Sequence, residues 1–102
     1  MITHMVLLRF RKTAAKKDID RAFQELAALK AKIPGLLSFS GGTYSSHEGL
    51  DQGFTHGFVM TFKDAGSRDA YLPHPEHEKV KALIFPLLEG GLDGVIAFDY
   101  AS

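Results

Sequence analysis

The chain has 102 residues, 45% of them apolar and 24% charged, which is ordinary globular composition at about the size of a single domain, so one domain spanning 1–102 is expected and a second is not. Its 12 basic and 12 acidic side chains cancel, so the field that gathers phosphates or anionic lipid is missing and nucleic acid is a poor partner. The absence of cysteine excludes disulfides, thiolate metal sites and thiol nucleophiles, and accords with a reducing compartment.

Residues 3–11 are short and rich in strand formers, which predicts a first strand. Arg9 and Arg11 follow this apolar run, whereas a signal peptide carries its positive charge ahead of a longer one, so the expected location is cytoplasmic. Nothing approaches the run of about 20 apolar residues that spans a bilayer. From Asp18 to Ile33, Ile19, Ala22, Phe23, Leu26, Leu29 and Ile33 recur at helical spacing with charged residues on the other side, an amphipathic helix stopped by Pro34-Gly35. Leu36 to Tyr44 reads as a second strand, with a bulge expected at Gly41-Gly42. Ser45 to Gly53 is a polar loop.

Residues 54–62 alternate cleanly, with Phe54, His56, Phe58, Met60 and Phe62 on one face and Thr55, Gly57, Val59 and Thr61 on the other. Asp64 is the expected N-cap of a short helix through Leu72. After Pro73 and Pro75 a further helix carries Val80, Leu83, Ile84, Leu87 and Leu88 as its stripe, and Pro86 should kink it or end it early. Gly90-Gly91 stops it, and a final strand follows in which Ile96, Phe98 and Tyr100 alternate with Val95, Ala97 and Asp99.

The order β-α-β-β-α-β, with the second helix in two pieces, predicts a ferredoxin-like α+β fold with a four-stranded antiparallel sheet. The first and third strands are then central neighbours. His4, Val6, Leu8 and Phe10 should lie with the large apolar side of the third strand beneath the helices. The open face is expected to carry Met5, Leu7, Thr55, Val59, Thr61, Val95 and Ala97, too apolar for exposure. A two-fold copy of the same surface is the economical cover, so the expected partner is a second copy of the chain, the two sheets closing into a dimeric α/β barrel.

Histidine is where chemistry enters. His4 and His56 fall on the helix-facing sides of adjacent strands, and His74 and His77 flank the start of the last helix. A histidine among phenylalanines and leucines tends to be neutral and must find hydrogen-bond partners, so His4 and His56 mark a polar spot within the sheet–helix layer, or simply bond each other or the backbone. Tyr71 either aims its hydroxyl at that spot or serves as an amphipathic core residue. His74-x-x-His77 offers two ligands on one helical face for a metal or haem, but Pro75 lies between them and only Glu76 and Glu78 stand nearby. No metal site is assigned, and His74 reads equally as a cap. The expected pocket depends on how Phe10, Phe23, Leu26, Phe54, Phe58, Val80 and Ile84 pack. Ser45, Ser46 and Ser67 lack a nucleophile context, and Gly41-Gly42 makes no phosphate loop.

His4 with its strand, Ile33-Pro34-Gly35, Gly53-Phe54-Thr55-His56, Tyr71-Leu72-Pro73-His74-Pro75-Glu76-His77 and Phe98-Asp99-Tyr100 occur in an order that resembles the stress-responsive A/B barrel (Dabb) family along essentially the whole chain. The resemblance implies a small homodimer with a dimeric α+β barrel fold, in a family where many members have no assigned activity and some are linked to stress tolerance. One plant member closes a linear polyketide by an aldol reaction without a metal or organic cofactor. Carried over to this chain, its catalytic histidine corresponds to His77, its tyrosine to Tyr71, and its further pocket histidines to His4 and His56. A neutral histidine can take the acidic proton between two carbonyls while a phenol hydrogen-bonds the enolate, with no cofactor required. Leu26 stands where that member has a pocket tyrosine, which weakens transfer of its substrate class. The expected function is therefore binding of a small apolar, aromatic or polyketide-like molecule, with cofactor-free proton transfer or cyclisation. The alternatives are a non-catalytic stress or interaction protein and, since dimeric ferredoxin-like barrels include haem-degrading monooxygenases, a haem or metal enzyme.

Overall fold

The computed structural model describes residues 1–102. β1 (Ile2–Leu8) lies between β3 (His56–Phe62) and β4 (Val95–Ala101), and β2 (Leu36–Thr43) pairs with the outer side of β3, giving the antiparallel order β2-β3-β1-β4. α1 (Lys16–Ala28) runs on into a 3-10 turn at Leu29–Ala31. After Pro34, Gly35 takes φ 83°, a left-handed conformation that costs a residue without a Cβ little, and the chain turns into β2. α2 (Ala65–Tyr71) begins where the Asp64 carboxylate accepts the Ser67 backbone N–H at 2.8 Å. α3 (Pro75–Ile84) starts with proline in its first turn, where no backbone donor is needed, and Pro86 converts its end into a 3-10 turn at Phe85–Leu87. This is the ferredoxin-like βαββαβ arrangement with its second helix split, as the order of predicted elements requires.

The helices cover one face of the sheet. Ile2, Val6 and Leu8 of β1 and Phe58, Met60 and Phe62 of β3 are buried against Ala22, Leu26 and Leu29 of the first helical segment and Val80 and Ile84 of α3. Each large side chain so buried contributes roughly 1.5–3 kcal/mol, which is why this face dictates how the layers meet.

Several boundaries move. β1 ends at Leu8, and Phe10 keeps only an isolated bridge to Leu88. β3 starts at His56, leaving Phe54 in the preceding loop beneath the Arg9 guanidinium at 5.0 Å. The irregularity in β2 falls between Leu36 and Ser38, and Gly41 and Gly42 pair regularly with Phe58 and Gly57. Gly41 serves close packing instead of a bulge, since a Cβ there would stand 3.0 Å from the Phe23 ring.

The largest correction concerns β4. Directly paired residues share a face, and His4, Val6 and Leu8 stand opposite Met60, Phe58 and His56 on β3 but opposite Asp99, Ala97 and Val95 on β4. Val95 and Ala97, expected on the open face, therefore lie beneath the helices with Asp99. Ile96, Phe98 and Tyr100 stand with Met5 and Leu7 on the open face, all five exposed, Phe98 at 61%. Both sides of β4 are apolar at most positions, so alternation alone does not choose between them; the ladder with β1 does. Large side chains end up on the open face and small ones under α3.

Candidate functional site

Small residues on β4 leave room. A cavity of about 290 Å³ opens between the sheet and α3, lined by Val6, Leu26, Phe58, Val80, Ile84, Val95 and Ala97 among others, with His4 and His77 as its imidazoles. Exposed Leu72, Phe85 and Leu92 also border it, and Lys81 joins the wall while its ammonium pairs with Glu78 at 2.6 Å. Of the side chains expected to shape the pocket, Leu26, Phe58, Val80 and Ile84 do so. Phe10, Phe23 and Phe54 lie elsewhere.

His4 stands at the middle of β1, buried, with Phe58, Phe62 and Tyr71 edge-on around it at 5.9–6.3 Å. Its Nδ1 lies 2.6 Å from Asp99 Oδ1, the residue directly opposite on β4. Burial alone would raise the Asp99 carboxyl, but hydrogen bonds from His4 and Arg68 outweigh it and hold the group below the usual carboxylate range. Because an ionised carboxylate only accepts, Nδ1 of His4 carries the proton and donates. In the neutral ring Nε2 then keeps its lone pair, the form of a general base.

His77 reaches the cavity from α3. Its Nδ1 lies 3.0 Å from the Leu72 carbonyl oxygen, which can only accept, so Nδ1–H donates and Nε2 is again the basic nitrogen. Burial pushes the His77 imidazole below its ordinary value, partly offset by the Leu72 carbonyl, so the ring is neutral near pH 7. Tyr71 stacks on it, ring centroids 4.0 Å apart and planes 26° from parallel. The Tyr71 hydroxyl is buried with no hydrogen-bond partner in the protein, and burial raises it well above the usual phenol range.

The structure thus brings together His4, Tyr71 and His77 and leaves His56 apart. His56 faces Leu8 at the far end of β3, packs edge-on against Phe10 at 4.9 Å, and has Nδ1 2.9 Å from Thr55 Oγ1. It borders a second, more open depression of about 440 Å³ that Gly41, Gly42 and Gly57 share with Met5 and Leu7 of the open face. Burial lowers the His56 imidazole, with Asp20 opposing. His4 and His56 do not bond each other. His74 caps α3, its Nδ1 accepting the Glu76 backbone N–H at 3.1 Å, so His74 and His77 use Nδ1 on separate backbone partners. No three His, Asp or Glu side chains converge where they could hold a metal ion.

Asp99 and Arg68 are the site residues that sequence reasoning missed. A lone carboxylate within the apolar β4 run was a usable signal for Asp99, because an acid there needs a partner. Arg68, in the short polar Ala65–Tyr71 helix with Asp69 beside it, gave none.

The chain resembles known proteins in sequence and in fold. The family model described as Stress responsive A/B Barrel Domain (Dabb) matches residues 2–102. The stress-response A/B barrel domain-containing protein HS1 of Arabidopsis thaliana is 29% identical over 99 residues, covering 97% of this chain and 87% of that protein. A dimeric ferredoxin-like protein of unknown function from Jannaschia has a similar structure, with TM-score 0.89 and 29% identity over 99% of this chain and 98% of its own. The hydroxynitrile lyase of Passiflora edulis shares the fold with TM-score 0.85, covering 97% of this chain and 90% of its own, at 22% identity.

Proposed function

The chain belongs to the stress-responsive A/B barrel (Dabb) family, and within that family we propose that it is a homodimer in which each subunit binds a small aromatic or polyketide-like molecule and moves a proton on it with His77 and His4. The observation that carries this reading is the cavity itself, an apolar space whose two imidazoles each have Nδ1 tied to an acceptor, leaving Nε2 as the base. Such a space rejects strongly hydrated ligands and favours a flat molecule with one acidic C–H or phenol. His77 removes a proton from carbon between two carbonyls, the electron pair passes into the enolate, and the imidazolium, once its proton has exchanged with solvent, delivers a solvent-derived proton to carbon. Tyr71, fully buried and not itself among the lining residues, holds the His77 ring by stacking, and its unpartnered hydroxyl is the proposed donor for the enolate oxygen. His56 lies outside this reacting group. General base catalysis of this kind contributes about 10²–10⁴-fold.

The dimer rests on the open face. Met5, Leu7, Ile96, Phe98 and Tyr100 form an exposed apolar surface on one side of the sheet, and the similar Jannaschia protein is dimeric. No helix is long and apolar enough to cross a membrane.

The test is deuterium uptake by 1-phenylbutane-1,3-dione at the carbon between its carbonyls, followed by NMR. The protein should accelerate uptake above buffer, and His77→Ala should abolish the acceleration with the fold retained. If the diketone shifts no resonance of a cavity residue, the binding reading is lost. If it binds without acceleration, the non-catalytic alternative replaces the enzyme.

A further inference from the structure

His4 does not act with Asp99 alone. The second oxygen of that carboxylate, Oδ2, accepts from Arg68 Nη1 at 2.8 Å, and Arg68 Nε donates to Asp69 Oδ1 at 2.7 Å. A line of groups therefore runs from exposed Asp69 on α2 through Arg68 and Asp99 to the buried imidazole of His4 at the cavity wall. Arg68 and Asp99 are each only 23% exposed, so the pair is partly withdrawn from water, where a charge-assisted hydrogen bond is stronger and more directional than at the surface.

We propose that Arg68 is a positioning residue for His4: by clamping Asp99 Oδ2 it fixes the carboxylate so that Oδ1 holds Nδ1–H of His4, and thereby keeps Nε2 as the base. The inference rests on the reading of the cavity as a proton-transfer site and adds to it a residue that does not line the cavity.

The geometry explains why two partners are needed. A carboxylate held only by His4 is free to turn about its own side-chain bond toward solvent, because β4 is an edge strand and Asp99 is not sealed in. Arg68 removes that freedom from the other side. The groups facing His4 are then accounted for: Asp99 from β4, Arg68 through it and Tyr71 from α2, His77 from α3, and the Phe58 and Phe62 rings from β3. Asp99 is the one acceptor among them aimed at Nδ1. Lys cannot substitute fully for Arg68, since a single ammonium lacks the planar fork that engages Asp69 and Asp99 together.

The experiment is NMR of the full-length protein without ligand, labelled with 15N in its histidine rings, reading the Nδ1 proton of His4 and its exchange with water. In the wild type this proton should give a resolved, slowly exchanging signal. Arg68→Met, which keeps the aliphatic stem, should lose the signal or speed its exchange about tenfold while the backbone amide spectrum stays folded, and Arg68→Lys should restore part of the protection. A signal unchanged in R68M overturns the proposal. So does an unfolded R68M, which would make Arg68 a support of the fold, and so does an R68K no better protected than R68M. Because no ligand is present, this result stands apart from deuterium uptake by the diketone: that assay can fail while the clamp is found, and the clamp can fail while the assay succeeds.

Discussion

Tyr71→Phe should make the protein more stable and less active. The ring of Tyr71 is fully buried between Phe62, His4 and His77, and Phe retains all of that packing. Only the hydroxyl is lost, and in the native fold it has no hydrogen-bond partner in the protein. In the unfolded chain the same group is fully hydrated, so burying it unpaired costs about 1–3 kcal/mol that Phe avoids. A gain of about 1 kcal/mol corresponds to a rise in melting temperature of about 4–8 °C for a domain of this size. The measurement is thermal unfolding by circular dichroism at one fixed protomer concentration, since a dimer's stability depends on it. Deuterium uptake by the diketone should fall in the same variant, by about 10²-fold if the hydroxyl is a full oxyanion donor. A melting temperature that drops with the hydroxyl would show that the group is satisfied in the native state, and the reasoning would fail. A rise with unchanged uptake would remove Tyr71 from the chemistry.

Acidification should destabilise the protein through His77. Burial holds its folded imidazole below the ordinary value, so the unfolded state binds more protons as pH drops through about 6.5, and stability declines there while remaining level above it. His77→Gln should flatten that slope in urea titrations run between pH 5 and 7.5. Asp99 adds a separate loss at lower pH: its folded carboxyl is depressed, so its contribution is present above the unfolded carboxylate value of about 3.9 and disappears below it. Ala97→Phe, on the strand face beneath α3, should fill the cavity and abolish diketone binding with the fold retained, read by chemical-shift perturbation. Phe98→Asp should place a charge at the centre of the open face and give a monomeric mass in sedimentation at micromolar concentration. A wild-type protein that itself sediments as a monomer would remove the dimer.

The fold was legible because strong periodicity and punctuation agreed. The alternation through His56, Phe58, Met60 and Phe62, the Pro34-Gly35 stop, the Asp64 cap and Pro86 each act through local sterics or hydrogen bonding, and each sits in the structure where those forces put it. The site was legible only in part. His4, Tyr71 and His77 announced themselves as polar or amphipathic residues in apolar settings. Their partners did not, because partnership is a property of register: Asp99 meets His4 only through the β1–β4 ladder, and Arg68 meets Asp99 only after α2 folds back on the sheet. His56 shows the converse, since membership of the same strand face as Met60 does not bring it to the same place along the strand.

β4 joins the two halves of the molecule's design. Its alternate residues serve opposite faces, with Ile96, Phe98 and Tyr100 outward and Val95, Ala97 and Asp99 toward the cavity. A slip of one residue against β1 would exchange them, putting aromatic rings in the cavity and Asp99 into the apolar open face, out of reach of His4. As an edge strand, β4 has one ladder and the hydrogen bonds of Asp99 to His4 and Arg68 to hold it, and a further restraint would come from the burial of its three large outward side chains. A partner sheet on the open face would therefore stabilise more than the chain's association. It would lock the register that keeps Asp99 opposite His4 and keeps small residues over the cavity, so that dimerisation and the chemistry of the pocket are coupled through one strand even though they occupy different sides of it.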